Sequence, residues 1–158
     1  MRVTAVLLVV VALGIASEAA GAQPPPMTPE HRQEVLNYKL TLPRAYQLIS
    51  AMEAMTKYVV GLPDFHERMA RSMKMTPAER RAQLEKDPAA MAILKKNGLA
   101  AQEYLVGVPT LRMALMVAQG IPTSPTIVAS PANVAFARAN LAQLKPRMDA
   151  ADGVPVRK

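Results

Sequence analysis

The chain has no cysteine and no tryptophan. Without thiols it can form no disulfide, thiolate metal site or covalent c-type haem attachment, and it has no cysteine nucleophile. Stability must come from packing alone. The only rings besides the imidazoles are Tyr38, Tyr46, Tyr58, Phe65, Tyr104 and Phe136. Surfaces that stack bases or sugars need more rings than these. Histidine is equally sparse, with only His31 and His66 able to act as a neutral-pH base without heavy tuning. Neither lies near a serine in a nucleophile elbow, and there is no G-x-S-x-G, H-E-x-x-H or phosphate-cradling glycine loop. The acids are scattered beside bases, as in Glu79-Arg80-Arg81 and Glu85-Lys86-Asp87. Such solvated pairs contribute a few tenths of a kcal/mol each, about the level of ordinary helix-surface pairs. The expectation is a protein that is not an enzyme, with no residue assigned as catalytic, cofactor-binding or metal-binding. Period-two alternation is missing too, which excludes amphipathic strands.

What is present begins at the N-terminus. Arg2 precedes the apolar run Ala5–Ala16, and Ala20-Gly21-Ala22 offers small residues before Gln23. The run is about a dozen residues, short of the roughly 20 that span a bilayer. It reads as an export signal cleaved after Ala22, placing the protein in the periplasm or outside the cell. No cysteine follows the run, so a lipoprotein anchor is excluded. The expected organisation is signal peptide 1–22, proline-rich lead 23–28, one helical domain 29–150 and a flexible tail 151–158. Arg2 and Glu18 cancel, so the processed chain keeps the net charge of +7. That balance favours anionic neighbours such as lipid head groups, cell-wall polymers or acidic proteins. For an exported chain, nucleic acid is the least accessible of them.

Proline punctuates the rest. Thr28-Pro29, Thr76-Pro77, Asp87-Pro88 and Ser130-Pro131 each set a capping side chain before a proline suited to the first helical turn. Thr76 with Glu79 has capping-box spacing, and so does Asp64 with Glu67. Gly61, Gly98 and Gly120 suit left-handed helix ends. These signals predict helices at Pro29–Tyr38, Leu42–Val60, Asp64–Lys74, Pro77–Lys86, Pro88–Asn97, Ala100–Gln119 and from Pro131 to Leu144 or beyond. The fold class is all-α, a single compact bundle of five to seven helices. Ala100–Gln119 is apolar on all sides, which places it at the centre. Pro109 is expected to bend it, and Arg112 to snorkel to the surface.

Charge is unevenly spread. His66–Lys96 carries eight lysines and arginines against four acids, whereas Asn97–Leu144 carries only Glu103, Arg112 and Arg138. This predicts a solvated basic rim and a low-charge half, part of which could serve as an apolar contact patch. Methionine is abundant: Met52 with Met55, Met69 with Met73, Met113 with Met116. Its first role in a ring-poor chain is core filling. A second reading rests on His66, Met69 and Met73, which lie at i, i+3 and i+7 on one helical face. Thioethers with an imidazole select Cu(I), and one histidine with one methionine can ligate a b-type haem between bundle helices.

Met27-Thr28-Pro29-Glu30-His31-Arg32 and Met75-Thr76-Pro77-Ala78-Glu79-Arg80 share M-T-P-x-x-R, followed by Leu36 and Leu84. An apolar residue before a cap suits the hydrophobic staple. The motif also resembles the L-T-x-x-Q signature of small exported helical stress chaperones and related metal-stress sensors, with methionine for leucine and His31 and Glu79 in place of glutamine. That resemblance implies an all-helical, often dimeric cradle with basic and apolar binding surfaces. Asn37–Pro43 and Ser130–Phe136 are similar to stretches of small exported bacterial proteins, which implies export and a helical fold. The function expected is a non-enzymatic exported protein that binds an acidic or apolar protein partner in the cell envelope or shields apolar surfaces. Soft-metal or haem binding is the second expectation.

Overall fold

The computed structural model describes residues 27–122 and 129–153. The export signal, most of the proline-rich lead and most of the tail lie outside the described residues. Within them the chain is all-helical, in the order α1 (Pro29–Asn37), α2 (Leu42–Val60), α3 (Phe65–Lys74), α4 (Pro77–Glu85), α5 (Pro88–Lys96), α6 (Ala101–Ala118), α7 (Pro131–Ala139) and α8 (Leu141–Ala151).

The proline-flanked caps start helices as their chemistry requires. The Thr28 hydroxyl accepts from the His31 amide at 3.2 Å, and the Thr76 hydroxyl from Glu79 at 3.2 Å. Asp87 accepts from Ala89 and Ala90 at 3.1 Å each, and Ser130 accepts from Asn133 at 3.2 Å. The Glu79 carboxylate also receives the Thr76 amide at 2.7 Å, which closes the capping box. Thr41 caps α2 in the same way, one residue before Leu42-Pro43.

Several expectations are corrected. Asp64 does not cap α3, because its carboxylate is held by Arg68 Nε at 2.8 and 2.9 Å. Gly61 closes α2 in the right-handed region, at φ −77°, whereas Gly98 and Gly120 are left-handed at 68° and 70°. The staple is absent, since the fourth helical position after each threonine is an arginine. In α4 that arginine, Arg80, donates to the Met75 carbonyl at 3.2 and 3.0 Å instead. The expected count of five to seven becomes eight among the described residues, because the last helix breaks at Asn140. There the backbone sits at φ −116°, ψ 11°, and the side-chain amide donates to the Phe136 carbonyl at 2.8 Å. A side-chain amide that bonds a carbonyl in the last turn of α7 lets the chain turn before α8 begins.

Helix α6 lies at the centre and packs against α1, α2, α4, α5, α7 and α8. It runs unbroken through Pro109. Next to it, the buried Thr110 hydroxyl donates to the Val106 carbonyl at 2.7 Å, which hides a polar group inside the helix. The main core gathers Leu48, Leu94, Leu111 and Leu144, all fully enclosed, with Met52, Met55 and Met148 filling between them. A second, smaller core holds Val35, Val106 and Met113, with Met27 packed against it.

Three contacts fix how α2 meets α6: Arg44 with Glu103, Leu48 with Gly107, and Met52 with Arg112. Both helices advance about one turn per contact in the same sense, so they run parallel. The short helices α3 to α5 make the return crossing. Gly107 leaves room for the Leu48 side chain between the two helices. A Cβ there would stand 2.8 Å from Leu48 Cδ2 and 2.9 Å from the Tyr38 hydroxyl.

Arg112 does not reach the surface. One guanidinium nitrogen donates to Asp152 and lies 3.2 Å from Met52 Sδ, while its Nε is buried without a partner. Its side chain is only 15% exposed. The reason is local: Asp152, at the end of α8, meets it at the α6–α2 seam.

Candidate functional site

The charged groups divide sharply once their partners are traced. Among the described acids, Glu53, Asp64, Glu85, Glu103, Asp149 and Asp152 form ion pairs, while Glu34 accepts a hydrogen bond from Gln102 at 2.8 Å and lies 3.2 Å from the His31 ring. Asp87 accepts from the Tyr58 hydroxyl at 2.9 Å, caps α5 and faces Arg68 at 3.5 Å. Glu79 is held in its capping box, and the Thr76 amide and hydroxyl keep its carboxyl below the usual range. Only Glu30 and Glu67 keep a carboxylate without such a partner.

The cations do not balance this. No described carboxylate pairs with Arg71 and Lys74 on α3, Arg80 on α4, Lys86 just beyond it, or Lys95 and Lys96 on α5. The same holds for Arg32, Lys39, Arg138 and Arg147. Among the described residues the charge left without an opposite partner is therefore predominantly positive.

Helix α3 is the least embedded of the eight. Phe65 is buried, Arg68 ties it to Asp64 and Asp87, and its outer side is open. The soft-metal candidates sit here. His66 is exposed with its ring 5.1 Å from that of Phe65, Met69 is half-buried, and Met73 is 44% exposed. They share one face as their spacing requires. His66 points no imidazole into the core between helices, where a b-type haem would lie. Among the described residues no cluster of three or more histidines and acids is placed to hold a metal ion.

Open grooves lie along the described part of the bundle. One, of about 690 Å³, lies between α1 and the start of α6, with Glu30, Glu34 and Glu103 on its walls. Gln102 donates to Glu34 across it at 2.8 Å. Another, of about 510 Å³, runs between α2 and the end of α5, lined by Tyr46, Gln47, Ser50, Lys95, Lys96, Asn97 and Gly98. Tyr46 is pinned on one side by donating to Gln143 at 2.9 Å, and Arg147 lies 4.6 Å from its ring centroid. Arg44 donates to the Gly98 carbonyl at 3.1 Å.

This second groove went unnoticed in the sequence. Its signal is the doubled lysine before Asn97-Gly98, which on its own reads as a helix end with basic residues that favour the helix dipole. Tyr46 and Arg147 reach it from helices about a hundred residues apart.

The architecture defines an all-α bundle with a cationic exterior. No protein-family model matches the chain, and no curated protein and no solved structure gives a significant match.

Proposed function

We infer that the protein is a non-enzymatic exported helical protein that binds an acidic protein partner through its cationic exterior and shields apolar surface on it. The observation that carries this reading is the one-sided compensation of charge: the acids are spent on internal pairs and caps, and the cations are left outward. Fields of one sign steer oppositely charged partners and raise their encounter rate. Among the described residues Val60, Met73 and Ile121 are exposed and offer apolar contact area besides the cations. Parallel α2 and α6 bring Val60 and Ile121 to the same end of the bundle. The M-T-P-x-x-R resemblance to exported helical stress chaperones agrees with this role. Among the described residues no helix is long and apolar enough to cross a membrane.

Two measurements test the reading. Expressed with its leader, the protein should be recovered from the cell envelope or medium starting at Gln23; full-length protein retained inside would overturn export. Light scattering of an unfolding acidic client should be suppressed at low salt and recover as ionic strength rises past the point where surface charges are screened. A basic client should gain nothing. Equal effects on both clients, or none, would overturn the acidic-partner reading.

A further inference from the structure

We propose that the groove between α2 and α5 is the seat of that partner, and that it takes an acidic peptide segment. This inference rests on the acidic-partner reading above and locates it. The groove, of about 510 Å³, is open to solvent rather than enclosed, which suits a peptide lying along it better than a small molecule. None of its seven lining residues is acidic. Lys95 and Lys96 stand exposed on its wall without carboxylate partners. Arg147 is brought to its edge by stacking on Tyr46, which the bond to Gln143 holds in place. Gln47 and Ser50 supply neutral hydrogen-bonding groups between the cations.

The lining also selects among anionic partners. Among the described residues the exposed large apolar side chains, Val60, Met73 and Ile121, all lie outside this groove, so a lipid surface would find no large apolar side chain to bury there. Tyr46 is its only ring, already covered by Arg147, so nucleobases have no stacking platform. Carboxylates along an extended peptide fit spaced ammonium groups with amide and hydroxyl partners between them. Gly98 serves this shape. It is left-handed at φ 68°, a conformation that side chains with a Cβ rarely adopt, and lies beside the Gln47 amide.

The test is fluorescence anisotropy of a labelled oligoglutamate peptide with the full processed chain. Lys95→Gln with Lys96→Gln should weaken binding by about tenfold. Arg71→Gln with Lys74→Gln removes the same charge from α3 and should change it by less than about twofold. Ser50→Glu, a single exposed change that puts a carboxylate in the groove, should weaken binding as the lysine pair does. Amide shifts on adding peptide should centre on Gln47, Ser50, Asn97 and Gly98. Equal loss from both double variants, or shifts centred on α3 and α4, would overturn the groove while leaving the acidic-partner reading standing. No binding of the peptide by the wild-type chain would overturn both. Preferential binding to phosphatidylglycerol vesicles over the peptide would also overturn the proposal.

Discussion

Asn133 makes two hydrogen bonds that no helix supplies. Its Oδ1 accepts the Leu40 amide at 3.1 Å, and its Nδ2 donates to the Tyr38 carbonyl at 2.7 Å. The side chain is buried, so it serves as the hydrogen-bonding partner of the α1–α2 connection. Truncating it strands two backbone groups, each costing about 1–3 kcal/mol. Asn133→Ala is therefore expected to lower stability by about 2–4 kcal/mol in urea unfolding, far beyond a surface change. Tyr38 is the opposite case. Its hydroxyl is buried with no hydrogen-bond partner, and burial, followed by the nearby Glu103 charge, pushes its phenol up to about 12. The unfolded phenol ionises near 10, so the fold favours the neutral form. That contribution is full below pH 10 and is lost as pH rises through about 12. Tyr38→Phe should leave neutral-pH stability unchanged or raised by about 1 kcal/mol. It should also remove one late-ionising phenol from the absorbance titration near 295 nm, leaving Tyr104, which burial pushes up to about 12, and Tyr58, which its hydrogen bond to Asp87 also raises. A destabilised Tyr38→Phe would mean the hydroxyl has a partner. Neither role was legible in the sequence, because Asn133 and Tyr38 meet across about 95 residues and local spacing carries no trace of it.

Helix starts are the most legible feature, and the reason is that a cap is local. An oxygen before Pro29, Pro77, Pro88 or Pro131 needs only the next turn to complete it. Asp64 shows where this stops: a base four residues on competes for the same carboxylate, and the ion pair wins over the cap. Asn140 shows it again, since nothing in the apolar pattern marks a break that a side-chain amide creates. Glu79 in the α4 capping box makes the local physics testable. The Thr76 amide and hydroxyl hold its carboxyl below the ordinary value, so its contribution is present above the unfolded value and lost as pH falls through the folded one. Glutamine can accept the same amide without titrating. Glu79→Gln should therefore flatten the acid limb of α4 protection in amide hydrogen exchange while leaving protection at pH 7 nearly unchanged. An identical acid limb in both proteins would show that another group sets it.

The whole molecule turns on α6, whose central place followed from its all-round apolarity, while its neighbours did not. Parallel pairing with α2 depends on contacts such as Leu48 on Gly107, which only the assembled chain brings together. The same is true of the seam where α2, α6 and α8 join. There Arg112 meets Asp152 beside Met52, and burial raises the Asp152 carboxyl despite the guanidinium next to it. Stability from this carboxyl is fullest below its unfolded value and falls as pH rises through the folded one, so at neutral pH the ionised pair is held at a cost. A pair of this kind is harmful to break and nearly harmless to remove together. Asp152→Ala leaves a cation only 15% exposed without its carboxylate and should cost about 1–3 kcal/mol. Adding Arg112→Met puts an apolar side chain of similar reach against Met52 and should restore most of that loss. Thermal unfolding of the wild type, both single variants and the double variant closes the cycle, with a coupling of about 1 kcal/mol or more expected. If the two losses simply add, the pair does not join the three helices, and the seam is held by Met52, Leu111 and Met148 alone.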